Sequence, residues 1–96
     1  MITARYEARE TFEKMFSGEL TFYVDAKILS KDMYAKKGDL LGINELNSNR
    51  SAVFEVSAVV EEEDFYIYAL QPCRVDPHRR LTAAVYGETE GGSDGN

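Results

Sequence analysis

This sequence is poor in the residues that build metal, redox and disulfide chemistry: its 96 positions hold one cysteine and one histidine. A lone Cys73 cannot close an internal disulfide, and the neighbouring set Cys73, Asp76 and His78 falls short of the ligand count of a zinc site. Long apolar runs are missing as well. No stretch approaches the roughly 20 apolar residues of a membrane-spanning helix, and no basic segment leading into an apolar run opens the chain. A cytoplasmic protein with no membrane partner is therefore expected. There is no cationic excess either. Eleven Lys and Arg stand against 17 Asp and Glu, giving a net charge of -6 and a pI near 4.7, which opposes general affinity for nucleic-acid backbones. The acidic run Glu61-Glu62-Glu63-Asp64 lacks the glycine and spaced oxygen ligands of a calcium loop, so no metal and no cofactor is expected.

What is present fits one soluble domain with a modest core, at 44% hydrophobic and 29% charged residues. The clearest organising stretch runs from Lys36 to Glu45. Gly38 suits a positive φ, the Asp39 carboxylate can accept a backbone N–H and hold a reversal, and Leu41 and Ile43 then share one face of a strand. Gly42 between them permits a bulge or the close approach of another backbone.

Elsewhere the period of the apolar residues assigns the elements. Ile2, Ala4, Tyr6 and Ala8 alternate with polar residues and predict a strand over 2–8. Phe12, Met15 and Phe16 fall at helical spacing, acidic Glu10 and Glu13 open the segment, and Gly18 can end it, predicting a helix over 10–17. The β-branched and aromatic run Thr21-Phe22-Tyr23-Val24 predicts a second strand, and residues 25–37 then read as a long, lysine-rich irregular loop. Strands over 40–46 and 52–60 flank the turn Asn47-Ser48-Asn49-Arg50, with Phe54, Val56, Ala58 and Val60 on one face. A last clear strand, 64–70, ends near Pro72. Many short strands, hairpins and a single helix predict a mainly β (α+β) fold, a small barrel with one short helix near the N-terminus. Phe12, Phe16, Leu41, Ile43, Phe54, Val56 and Ile67 are the expected core. The barrel is expected within residues 1–72. Residues 73–86 contain Leu81–Tyr86, either a further strand or a segment ordered by a partner. Residues 87–96, with four glycines and three acids, read as a disordered tail.

The order of these pieces resembles the ASCH domains of the PUA-like superfamily, most of all their small uncharacterised bacterial and phage relatives. The residues carrying the resemblance are Phe16-Ser17-Gly18 followed by Thr21, and Lys37-Gly38-Asp39-Leu40-Leu41 with Asn44-Glu45, and it covers about residues 2–71. In that family the strand after the helix usually reads Gly-x-Lys-Thr-x-Glu-x-Arg and faces a cleft associated with RNA or nucleoside recognition. Some similar proteins hydrolyse an acylated cytidine with the Lys, Thr and Glu of that motif. Here Gly18 and Thr21 match, whereas Leu20, Tyr23 and Asp25 stand where Lys, Glu and Arg are expected. A threonine hydroxyl is a poor nucleophile without a base in hydrogen-bond reach, and neither Leu20 nor Tyr23 is one, so no catalytic residue is assigned.

Two classes of function follow. The first is a non-enzymatic PUA-like module binding a macromolecule, a protein in preference to RNA or a nucleotide. A phage-type inhibitor of a host complex would fit this size and charge. The second is an enzyme or binding protein for a modified nucleoside or RNA, acting through residues such as Lys27, Asp39 or Glu45. The expected binding surface is the basic loop beside the second strand, with Thr21, Tyr23, Lys27, Lys31, Tyr34, Lys36 and Lys37 as its candidate residues. Its tyrosines, with Tyr66 and Tyr68, suit either base stacking or core packing with hydroxyls at the surface.

Overall fold

The computed structural model describes residues 1–19, 22–73 and 80–89. Six strands close a barrel around one core. They are β1 (Thr3–Tyr6), β2 (Val24–Ile28), β3 (Leu40–Glu45), β4 (Ser51–Glu61), β5 (Tyr66–Pro72) and β6 (Ala83–Thr89), with the helix α1 (Arg9–Ser17) between β1 and β2. Around the barrel the order is β1-β2-β5-β4-β3-β6, and β6 closes it by pairing in parallel with both β1 and β3. The mainly β barrel with one short N-terminal helix is therefore the architecture present. Among the described residues no helix is long and apolar enough to cross a membrane.

The turns form where the local chemistry places them. Gly38 takes φ 94°, the Lys36 N–H donates to Asp39 Oδ2 at 2.9 Å, and the Asp39 N–H donates back to the Lys36 carbonyl. Gly18, at φ 80°, ends α1. Asn47 supplies the left-handed residue of the β3–β4 turn at φ 64°. The acidic turn joining β4 to β5 closes with the Glu62 N–H on the Phe65 carbonyl.

Alternation along the strands fills the barrel: Ala4 and Tyr6, Ala26 and Ile28, Leu41 and Ile43, Phe54 and Val56, Tyr68 and Leu70, and Val85 all point inward. One end is covered by α1, whose Phe12 ring lies 5.5 Å from that of Tyr6. Burial alone pushes the Tyr6 phenol far above its ordinary pKa. At the opposite end Met33 and Ala35 are buried, and the Ala35 N–H donates to the Tyr68 hydroxyl at 2.9 Å.

Five expectations are corrected. The second strand is Val24–Ile28 rather than 21–24, because Val24, Ala26 and Ile28 meet the inward faces of β1 and β5, while Phe22 and Tyr23 lie outside the barrel, exposed. In β4 the register shifts between Val56 and Ala58. The extra residue, Ser57, reverses which side chains face inward, so Val59 packs against the core and Val60 is exposed. Phe16 is half-buried at the edge of the core, and Ile67 faces outward from β5, opposite Lys27, half-buried. Finally, of the two readings of Leu81–Tyr86 the strand is the one present, as β6 from Ala83, and the correction is that β6 continues through Gly87, Glu88 and Thr89, three residues assigned to the tail on composition. Gly87 pairs with Ala4 and Glu45 and sits inside the barrel beneath α1. The remainder of that tail, 90–96, lies outside the described residues, as do Asp76, His78 and the basic positions Arg74 and Arg79. Gly42 is approached not by backbone but by the Leu81 side chain.

Candidate functional site

The outer wall of β1 and β2 carries the site. Antiparallel pairing sets Arg5 opposite Lys27, and Lys27 is opposite Ile67 on β5, so one outward row runs Arg5, Lys27, Ile67 across three strands. Two residues further toward the helix end, outward parity brings Glu7 and Asp25 into the next row. The chain entering β2 adds Phe22 and Tyr23, 63% and 60% exposed. The first turn of α1 adds Thr11, and the residue capping it adds Ala8. Together these residues line a cleft of about 370 Å³.

Its charges are not equivalent. Arg5 Nε is held 3.2 Å from Glu88 Oε1, and the Lys27 ammonium lies 5.0 Å from the centre of the Phe65 ring. Glu7 and Asp25 have no ion-pair partner among the described residues. The cleft therefore offers two aromatic rings beside two carboxylates, with its cations in the neighbouring row. Such a surface can bind and orient a ligand. For covalent chemistry it provides the Thr11 hydroxyl, which shares no hydrogen bond with either carboxylate.

A second group of candidate residues lies at the barrel end opposite α1. Lys31 Nζ reaches Glu61 Oε2 at 3.1 Å and stands 4.4 Å over the Tyr66 ring. Tyr34 packs edge-on against Tyr66, with ring centres 5.4 Å apart, and Tyr66 meets Tyr68 at 5.9 Å. The loop after β2 is thus pinned inward by Met33 and Ala35 while Tyr34, 58% exposed, faces out. Burial raises the Tyr68 phenol, and the hydrogen bond from Ala35 opposes that rise.

The seven residues expected in the site divide accordingly. Tyr23 and Lys27 line the cleft. Lys31 and Tyr34 join the tyrosine group, and Lys36 and Lys37 point outward from the turn before β3. Thr21 lies outside the described residues. Arg5, Glu7, Thr11, Phe22, Asp25 and Ile67 were not expected in the site. The polar alternation of the first strand marked Arg5 and Glu7 as outward, but nothing local said that β2 would lie beside them.

The three residues considered for an enzyme do not converge. Asp39 and Glu45 bracket β3, about 20 Å apart at roughly 3.3 Å per residue, and Lys27 is on the outer wall of β2. Each has structural contacts: Asp39 holds its turn, and Glu45 takes a two-pronged bond from Arg50, Nε to Oε1 at 2.6 Å and Nη2 to Oε2 at 2.7 Å. That bond, more than any other cause, holds the Glu45 carboxyl below its ordinary range. Arg50 also contacts Glu13 at 3.0 Å and stacks on Phe16, tying the β3–β4 turn to α1. A second cavity of about 350 Å³, lined in part by Arg9, Glu13, Glu45 and Glu88, adjoins this clamp. Among the described residues no three His, Cys, Asp or Glu side chains could together hold a metal ion. Comparison with protein-family models, with curated proteins and with solved structures finds no match for this chain.

Proposed function

We propose that this protein is a non-enzymatic binding module of the PUA-like, ASCH-related type that recognises a protein through the cleft and the loop that follows β2. One observation carries the reading: Phe22 and Tyr23, adjacent in sequence and both more than half exposed, stand at a 370 Å³ cleft with charged residues around them. Aromatic anchors surrounded by polar residues are the usual composition of the energetic centre of a protein interface. The closed barrel and the Lys37-Gly38-Asp39-Leu40-Leu41 turn and strand support the PUA-like part. The charge distribution favours a protein over RNA. Phosphate recognition needs concentrated and available Lys and Arg, whereas Arg5 is matched to Glu88 and Lys31 to Glu61 on a chain of net charge -6.

The test combines affinity capture from the native host with titration of the purified partner. Wild type should bind, and the Tyr23→Ala/Tyr34→Ala variant, folded by circular dichroism, should bind at least about tenfold more weakly, as for loss of an aromatic anchor. A panel of nucleosides and short RNAs should leave the melting temperature unchanged. Saturable stabilisation by one of them, lost on Tyr23→Ala, would replace this reading with the nucleoside or RNA alternative.

A further inference from the structure

We propose that the cleft takes an arginine side chain presented by the protein partner, an assignment that rests on the reading of this chain as a protein-binding module. The cleft is polarised along the strands. Arg5 and Lys27 face each other in one row, and Glu7 and Asp25 occupy the row nearer the helix end, about 6–7 Å away for two residues of extended chain. The cations of the first row are already engaged, Arg5 with Glu88 and Lys27 over Phe65. The carboxylates of the second are unmatched among the described residues, and Phe22 and Tyr23 adjoin them in the same cleft.

Two carboxylates beside exposed aromatic faces suit a guanidinium better than other common side chains. It is planar, carries five N–H donors that can divide between two carboxylates, is charged at all working pH values, and stacks on rings while its alkyl stem covers apolar surface such as Ile67. A lysine ammonium would satisfy the charge but could not stack in the same way. A phosphate or a partner carboxylate would meet Glu7 and Asp25 as like charges. The overall charge of -6 adds a long-range field that draws a basic segment toward this surface.

The probe is N-acetyl-arginine amide, titrated into the labelled full-length protein and followed through backbone amide resonances. N-acetyl-lysine amide, N-acetyl-glutamate amide and cytidine serve as comparisons. Saturable shifts centred on Glu7 and residues 22–25 are expected with the arginine probe. They should be weaker with the lysine probe and absent with the glutamate probe. Glu7→Gln/Asp25→Asn should weaken arginine binding by about tenfold or more, since each charge-assisted bond contributes on that scale. Glu63→Gln, an exposed carboxylate outside the cleft, should leave it unchanged. The near-isosteric exchanges at surface positions keep the fold, which the spectrum of the variant verifies directly. Shifts spread without saturation over the Glu61–Asp64 turn and the rest of the acidic surface would overturn the proposal, as would unchanged affinity in the double variant. A partner whose binding is lost in Tyr23→Ala/Tyr34→Ala but is indifferent to Glu7→Gln/Asp25→Asn would overturn the arginine assignment and leave the protein-binding module standing. Saturable cytidine binding in the cleft would overturn both.

Discussion

Gly87→Ala is the sharpest structural test, because composition puts this glycine in a loose tail and the structure puts it inside the barrel. A Cβ there would lie 2.9 Å from Ile43 Cγ2, 3.2 Å from Phe12 Cε2 and 3.3 Å from Tyr6 Cε2. Carbon atoms rest at about 3.5–4.0 Å, so all three neighbours would have to retreat. Ile43, Phe12 and Tyr6 are 0%, 5% and 1% exposed, and two of them are rings already in contact. Overpacking of this kind costs about 1–3 kcal/mol. In a domain of this size each kcal/mol lowers the melting temperature by about 4–8 °C, so a fall of about 5–20 °C is expected. Gly42→Ala is the matched control. Its nearest contact is also 2.9 Å, but the atom is Leu81 Cδ1, at the end of a side chain that is 47% exposed and can turn away. Reduced freedom of the unfolded chain then contributes about 0.4–1 kcal/mol in favour of the alanine, and the melting temperature should hold or rise. Thermal unfolding by circular dichroism reads both. A Gly87→Ala protein as stable as wild type would refute the placement of residues 87–89 in β6.

Three further outcomes follow from the same packing. Phe54→Ala, which empties a 1% exposed core position, should cost about 3–5 kcal/mol in denaturant unfolding; a cost below about 1 kcal/mol would contradict its place in the barrel. Ending the chain after Tyr86 should unfold the domain or greatly destabilise it, because the pairings of Arg5 with Glu88 and Tyr6 with Thr89 are lost, whereas ending it after Thr89 should leave the melting temperature within a few degrees; equal melting of the two would contradict the strand. The Glu45 carboxyl is held below its ordinary value of 4.5 by Arg50, so the folded state binds fewer protons there than the unfolded state. Its contribution is complete above about pH 4.5 and is lost as the pH falls through the depressed folded value. The stability gap between wild type and Glu45→Gln should therefore shrink below pH 4.5, and a gap that stays constant would refute the attribution.

The turns were legible because they are written in residues with specific backbone chemistry: Gly38-Asp39 before β3, and the two hairpin turns, at Asn47 and in the acidic run after β4. The second strand was misplaced because bulk and β propensity concentrate in Phe22 and Tyr23, whereas the true strand alternates through the small Ala26. That position is set by pairing with β1 and β5, not by any local preference. In β4 a single bulged residue reversed the facing of everything after Val56, and Ser57 carries no sign of it. Gly87 reads as a linker glycine, and its need for a small side chain appears only when Phe12, Ile43 and Tyr6 converge on it. The site suffered most. Arg5, Asp25 and Ile67 are dispersed along the chain and meet only through the pairing of β2 with β1 and β5, while Lys31, Lys36 and Lys37, conspicuous as a basic group, lie outside the cleft.

A protein partner is expected to touch this barrel at the cleft and along the loop after β2. Hydrogen–deuterium exchange of the full chain, alone and saturated with the purified partner, measures that most directly. Protection is expected across residues 22–27 and 31–37, with β3 exchanging as before. Protection confined to the β3–β4 turn, or no change anywhere at saturation, would contradict it.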